Sequence, residues 1–388
     1  MRKHLIPIAW MLVVGCSSCS NEATMEEPKP KPDPVPQLSF VSAPCESASE
    51  DVKLSQNEST LIVCGLRGKI SLYDAQSLTL LTTFDLKEKY NVTSNCRMSV
   101  IGDNAYVIYG ADQDPPMIVK VDLVQKKLVD EWKIPAELFN RSVFGGIDLK
   151  AYYGLLPLEE PGQAVLAHYF TIDYSGDPRN DKEERGIAPI FVDLNTGKMT
   201  RKVVLPVEGL EYAINEGGYD GRYLFGFLSY DNQYFKDKPS GAVGYLLDLK
   251  TKEIKTFPTS GSPHSMFIDR TRTRLFFTGT PSVGWWVDEL GTGKRLFNHP
   301  NPSPLFIMDV VGIDEDRAGL VQCGSIPGSA SVLNVVSISS GKKLAEAVIP
   351  DEYGNCAAVT RDGKYVYVGN FKTISKVEIP PMENGAEQ

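Results

Sequence analysis

Histidine is scarce in this chain: His4, His168, His264 and His299 are the only four in 388 residues. Chemistry that needs several imidazoles therefore has little to work with. Past Cys19 there is no Cys-x-x-Cys or His-x-x-x-His spacing, so the usual zinc patterns lack ligands. There is no Gly-rich phosphate loop, nucleophile elbow or Ser-His-Asp spacing. Positive charge is also short. Lys and Arg number 40 against 49 Asp and Glu, a net charge of −9 that becomes −11 if Arg2 and Lys3 leave with a leader. A basic patch is the expected footprint of nucleic-acid binding, and this balance argues against it. Long apolar runs are missing after the first fifteen residues, so no spanning helix is expected. Helical periodicity is nearly missing too, and residues 135–139 would make one turn at most.

The start of the chain reads as a targeting signal. Arg2, Lys3 and His4 form a basic region, and Leu5 to Val14 an apolar core too short to span. The core ends in Val13-Val14-Gly15-Cys16, which resembles a bacterial lipobox. That resemblance implies a signal peptide over 1–15 and a lipid on Cys16. Residues 16–36 then form a tether, with prolines at 28, 30, 32, 34 and 36 in alternation. Such a run is extended and semi-rigid and has no apolar side chains to build a core. By resemblance to lipoprotein sorting rules, Ser17 is compatible with the outer membrane, on its periplasmic or its surface side. The domain is expected over 37–381, followed by a disordered tail over 382–388.

The domain reads as strands at nearly every point. A unit of four short strands recurs at a spacing of about 40–50 residues, the range of propeller blades. Its register mark is an aspartate that ends the third strand: Asp74, Asp122, Asp193, Asp248 and Asp288, with Ser337 in a sixth copy. An Asp or Ser there can bond the backbone of the following turn. The mark sets blades at about 51–86, 96–134, 150–206, 211–258, 265–300 and 306–350. The last strands begin with a hairpin, Asn355 to Asn370, whose Arg361-Asp362-Gly363-Lys364 turn separates two apolar runs. With Ile374 to Ile379 this hairpin makes three strands of a seventh blade. The unused segment Gln37 to Ser42 alternates and is assigned as the fourth. The expectation is an all-β chain forming a single seven-bladed β-propeller, closed by its N-terminal strand joining the C-terminal blade. Eight blades would result if the third hides a short extra sheet.

The repeats resemble the YVTN-type and WD-like propellers of secreted bacterial proteins. The likeness rests on Arg361-Asp362-Gly363-Lys364-Tyr365-Val366-Tyr367-Val368, on Gly261-Ser262-Pro263-His264-Ser265-Met266-Phe267-Ile268-Asp269, and on the strand-ending aspartates. It covers nearly the whole mature chain at the level of fold, and propellers host many functions. Some surface lipoprotein propellers of gut bacteria capture nutrients, and this chain is similar to them in architecture.

The starts of the inner strands and the loops after the second strands share one face. The insertions at 111–116, 174–186, 231–241 and 325–331 all fall in those loops. Long loops on a rigid scaffold usually carry binding. Tyr174, Asp177, Tyr230, Asp231, Tyr234 and Phe235 offer aromatic faces beside hydrogen-bonding groups, which suit sugars or planar ligands, and His264 starts an inner strand nearby. The bland alternative is that Tyr234 and Phe235 only pin their loop to the scaffold. Glu50, Asn95, Glu211, His264 and Asn355 form a ring at the inner-strand starts. Calcium-dependent propeller lactonases place acids and amides at such a ring, so Glu50, Asn95, Glu211 and Asn355 are the metal candidates by resemblance, with calcium as the ion. No other cofactor is expected. Cys64 with Cys96 and Cys323 with Cys356 occupy what read as equivalent positions in neighbouring blades, so both pairs are candidate disulfides, with Cys45 left over. The leading functional expectation is a binder of a nutrient, glycan or other small molecule. A protein-interaction scaffold of an envelope complex comes next, then a metal-dependent hydrolase or lactonase. The balance leans away from an enzyme.

Overall fold

The computed structural model describes residues 34–87, 96–109, 117–135, 138, 152–158, 160–168, 170–171, 186–187, 190–201, 205–206, 212–215, 223–230, 241–248, 250–251, 253–258, 265–268, 273–278, 284–289, 292–302, 305–323, 330–352, 354 and 356–381. The chain divides into two compact units, Met1–Pro34 and Val35–Gln388. Among the described residues, the second unit holds six four-stranded sheets, one five-stranded sheet and a two-stranded ladder. No helix among them is long and apolar enough to cross a membrane.

Sheet 1 runs Ser49–Leu54, Thr60–Gly65, Lys69–Asp74, Leu80–Asp85. Sheet 2 runs Cys96–Ile101, Asn104–Tyr109, Met117–Asp122, Lys127–Lys133, and sheet 3 Tyr152–Pro157, Gln163–His168, Ile190–Asp193, Met199–Arg201. Sheet 4 places Phe170–Thr171 before Tyr212–Asn215, Tyr223–Tyr230, Gly241–Asp248 and Ile254–Pro258. Sheet 5 is Ser265–Ile268, Arg274–Thr278, Trp285–Glu289, Arg295–His299, and sheet 6 Phe306–Gly312, Arg317–Cys323, Ala330–Ser337, Lys343–Glu352. Sheet 7 joins Cys356–Val359, Tyr365–Gly369 and Thr373–Glu378 to Phe40–Pro44. Every pair within these sheets is antiparallel, and short turns join many of the neighbouring strands.

Among the described residues, sheets 1, 2, 6 and 7 bury both faces, which explains why second strands such as Leu61-Ile62-Val63-Cys64 are apolar throughout rather than alternating. Leu61 and Val63 pack with Cys356, Ala358 and Tyr367 of sheet 7, whereas Ile62 and Cys64 pack with Met98, Val107 and Val119 of sheet 2. The same relation links sheet 2 to 3, 5 to 6 and 6 to 7. Full burial of such a side chain contributes roughly 1.5–3 kcal/mol, so the seams between sheets, more than the turns, hold the domain together.

The turn aspartates act as their sequence position predicts in four sheets. Asp74 Oδ1 accepts from Ser77 N at 2.8 Å, Asp122 Oδ1 from Gln125 N at 2.7 Å, Asp193 Oδ1 from Asn195 N at 2.9 Å and Asp248 Oδ1 from Lys250 N at 2.8 Å. Ser337 Oγ does the same for Ser340 N at 3.1 Å. Sheet 5 departs from the pattern by one residue. There Glu289 N bonds Lys294 O and Gly293 N bonds Glu289 O, the pattern made around Asp193 in sheet 3. Asp288 therefore points into the core, fully buried and paired with Arg295.

Two features differ from the four-strand expectation. Phe170 and Thr171 pair with Ala213 and Tyr212, adding a short fifth strand to the inner edge of sheet 4. Gly186, the last residue of the expected insertion at 174–186, and Ile187 after it pair with Pro206 and Leu205. The N-terminal strand pairs Phe40 with Val377 and Pro44 with Thr373. It begins later than expected, because Gln37 bridges instead to Glu346 of sheet 6 and Leu38 is buried in the seam between sheets 6 and 7.

Candidate functional site

The register fixes the two ends of every sheet. Ser49 pairs with Gly65, Cys96 with Tyr109, Tyr212 with Ser229, Phe306 with Cys323 and Cys356 with Gly369. Inner strands thus start beside the ends of second strands, at the end where 110–116, 231–240 and 324–329 connect strands. The opposite end carries tight turns such as 55–59, 75–79 and 361–364. Tyr230 is the last residue of its strand and pairs with Gly241 at the loop-bearing end. Tyr174, Asp177, Asp231, Tyr234, Phe235, His264, Asn95, Glu211, Asn355 and Cys16 lie outside the described residues.

Glu50 sits in a bulge between Ser49 and Asp51, half-buried, and its carbonyl accepts from Arg97 Nη1 at 2.8 Å. It leads into a polar group that the sequence reading did not single out: Asp51, Lys53, Arg97, Asp309 and Cys356, on the inner strands of four sheets. Asp51 Oδ2 accepts from Met98 N of sheet 2 at 2.8 Å, and its Oδ1 lies 3.1 Å from Lys53 Nζ. Asp309 Oδ2 accepts from Ala357 N of sheet 7 at 2.6 Å and Oδ1 from Val310 N at 2.8 Å. Each carboxylate thus binds a backbone donor of the next sheet. Ser99 makes a third such link, its Oγ accepting from Leu155 N at 2.9 Å.

The charges in this group are coupled. The Asp51 carboxylate, with Asp309 adding to it, holds the Lys53 ammonium above its ordinary pKa against the cost of burial. Lys53 is nonetheless 44% exposed, so solvent reaches the ammonium. Burial pushes Asp309 up to about 6, with Lys53 and the two backbone donors resisting. Burial, reinforced by Asp51 and Asp309, raises the Cys356 thiol well above its usual range. A thiol kept protonated is a poor nucleophile and a poor metal ligand. Among the described residues no three His, Cys, Asp or Glu side chains gather as a metal cluster.

No protein-family model matches the chain, and no curated protein matches it. Solved structures do. The RRP9 WD40 repeats align with a TM-score of 0.59 at 9% identity, covering 89% of this chain and 99% of that one. The β-propeller domain of Cps50 (Swd1) from Myceliophteria thermophila gives 0.59 at 12% identity, over 89% and 100%. U3-55K gives 0.59 at 9%, again over 89% and 100%. The fold is a WD-like β-propeller. At such identities the likeness is one of fold alone.

In a propeller the inner strands line a central channel, and the five polar residues sit along its wall. Asp51 and Asp309 each precede a valine, but Asp51 lies in the polar strand Ser-Glu-Asp-Val-Lys-Leu and Asp309 in the apolar strand Phe-Ile-Met-Asp-Val-Val-Gly, so the two share no common sequence pattern. Near the loop-bearing end of sheet 6 lies a second unpredicted feature, an amide ladder. Asn334 Nδ2 donates to Gln322 Oε1, and Gln322 Nε2 donates to Asn301 Oδ1 at 2.6 Å.

Cys64 and Cys96 form a disulfide that joins the first two blades, their Cα atoms 6.3 Å apart. Cys323 and Cys356 do not: both are free and buried. The reason is a shift of one residue. The link from Asp51 to Met98 N corresponds to that from Asp309 to Ala357 N, so the counterpart of Cys96 is residue 355. Cys356 falls on the alternate face and packs with Val52 and Val63 of sheet 1, away from sheet 6. Cys45 is also free, its Sγ 3.3 Å from Ser49 Oγ.

Proposed function

We propose that the chain is a seven-bladed propeller, its ring fastened where Phe40–Pro44 pairs with Thr373–Glu378. It is held at the bacterial outer membrane by a lipid on Cys16 and binds a nutrient, glycan or other small molecule on its loop-bearing face. The observation that carries this reading is the difference between the two ends of the sheets. Tight turns stand at one end, and the longer connections at 110–116, 231–240 and 324–329 stand at the other, beside the inner-strand starts. The strand Phe170–Thr171 adds to this. It lies on the inner edge of sheet 4, and Thr171 pairs with Tyr212, the first residue of that inner strand. The base of the largest insertion is therefore at the channel mouth, where a ligand would meet several blades at once.

The channel-wall groups favour binding over catalysis. Both oxygens of Asp51 and both of Asp309 already have partners, and Cys356 is kept as a thiol. The test is a thermal-shift screen of the mature domain with glycans, corrinoids and calcium. A saturable rise in melting temperature with a glycan or another organic ligand is expected, and it should be lost in a Tyr174→Ala, Tyr234→Ala variant. No shift with any of them would overturn the small-molecule reading, whereas a shift with calcium alone would transfer it to the metal-dependent alternative.

A further inference from the structure

We infer that the channel wall beneath the loop-bearing face holds the carboxylate or phosphate group of a small organic anion, such as a sugar acid, on Lys53 with Arg97 beside it. The inference deepens the small-molecule reading above and rests on it for the ligand's entry from that face. It starts from where charge stands on the inner strands. Tyr152–Pro157, Tyr212–Asn215, Ser265–Ile268 and Cys356–Val359 contain no charged residue. The charges fall in three sheets: Glu50, Asp51 and Lys53 in sheet 1, Arg97 in sheet 2 and Asp309 in sheet 6. Among the described strands, Lys53 and Arg97 are therefore the only cations that the seven inner strands supply.

Two of the acids are committed elsewhere. Asp51 Oδ2 accepts from Met98 N, and the Asp309 oxygens accept from Ala357 N and Val310 N, so backbone donors hold both carboxylates. The Asp51 side chain is only 9% exposed, against 44% for Lys53. Of these groups the ammonium is thus the one open to a solute. It has three N–H donors, and Asp51 Oδ1 takes one at 3.1 Å. The nearby charges of Asp51 and Asp309 keep it protonated. Arg97 gives Nη1 to the Glu50 carbonyl at 2.8 Å, which fixes its guanidinium at the seam between sheets 1 and 2. Ammonium and guanidinium groups suit carboxylates and phosphates because their bonds to an oxyanion are charge-assisted.

The depth of the group also fits. Counted from the loop-bearing end, Arg97 is the second residue of its strand, Asp51 the third and Asp309 the fourth. At about 3.3 Å per residue, the group lies roughly 10 Å below the mouth. Lys53 is the fifth residue, but its ammonium reaches back to the level of Asp51. The charged end of a ligand can meet Lys53 there while the rest of the molecule stays among the loops. Binding pockets commonly use a few charged groups in this way, to fix orientation.

Isothermal titration calorimetry of the full-length protein in low salt tests this, with glucuronate, its neutral counterpart glucose, and inorganic phosphate as probes. Saturable binding of glucuronate but not of glucose is expected, and it should weaken as salt is raised. Lys53→Met should weaken it about tenfold or more, through the loss of a charge-assisted bond, and Lys53→Arg should keep most of it. Lys53→Met also leaves Asp51 without its ion pair, so a second variant of opposite sign is needed. Asp309→Asn removes a negative charge that acts on Lys53 and should tighten glucuronate binding several-fold at neutral pH. Equal binding of glucose, unchanged affinity in folded Lys53→Met, or no tightening in Asp309→Asn would overturn the anion site. So would the absence of binding by glucuronate and phosphate alike. Glucuronate binding that is lost in Lys53→Met but kept in the Tyr174→Ala, Tyr234→Ala variant would support the channel site and overturn the loop contacts proposed above. A ligand that needs those tyrosines and ignores Lys53 would do the reverse.

Discussion

Replacing Asp309 with Asn should change how stability depends on pH. Asp309 is an acid whose folded pKa is raised to about 6 from an ordinary 3.8, chiefly by burial. The folded state therefore holds its proton more tightly than the unfolded chain does. Stability from this group is fully present below about pH 3.8 and is lost as pH rises through 6. A shift of about two units corresponds to roughly 3 kcal/mol, an upper figure. The Asn side chain removes the buried charge and keeps one carbonyl for Ala357 N or Val310 N. Leaving the other donor poorly matched costs about 1 kcal/mol. Asp309→Asn should therefore gain about 1–2 kcal/mol at pH 7.5 and lose that gain by pH 4.5. Urea midpoints of both proteins across that range give the answer. The difference between the two curves matters, because other carboxylates titrate in both and cancel. A difference that stays constant with pH would refute the reasoning, and so would one that grows toward acid.

Other perturbations test the remaining physical claims. The Cys64–Cys96 bridge closes a loop of 32 residues, so the double Ser variant should lose about 3–4 kcal/mol in chemical unfolding, and reduction of the native protein should match it. Arg295→Ala strands Asp288 in the core, where burial already raises its pKa despite the arginine. A loss of about 3 kcal/mol is expected, smaller in the Asp288→Asn, Arg295→Ala double variant. Asp74→Ala removes an acceptor of two turn amides and should lower the melting temperature at neutral pH. Because that carboxyl's folded pKa is depressed, the deficit should vanish as pH falls through it.

The architecture was legible because its causes repeat. Apolar second strands and turn acids recur in sheet after sheet, and each copy reinforces the others. Reading failed where a copy departed by one residue. Trp285-Trp286-Val287-Asp288 looks like a strand ending in the turn acid, but a fifth residue, Glu289, takes the turn and sends Asp288 inward. Cys356 misled in the same way, since a shift of one residue exchanges the two faces of a strand. The run Ala164-Val165-Leu166-Ala167-His168-Tyr169-Phe170-Thr171 held a usable signal. It is too long for one short strand, and its tail pairs with the next sheet.

The channel wall was illegible for a different reason. Asp51 and Lys53 share one strand while Asp309 sits five repeats on, and nothing local requires a charged residue at any of them. Their partners lie across seams: Met98 N is 47 residues from Asp51, and Ala357 N is 48 from Asp309. A sequence shows what a strand needs from its own sheet, but not which backbone donor the next sheet will expose. The loop-bearing face extends that logic. Repeats constrain strands and tight turns because every sheet must solve the same packing problem, whereas an insertion is released from it. The positions most informative about function are thus the ones the repeat leaves free, and Tyr174, Tyr230 and Tyr234 follow no period that would identify them. What the repeat does fix is where such residues stand. The register puts Tyr230, paired with Gly241, at the loop-bearing end of sheet 4.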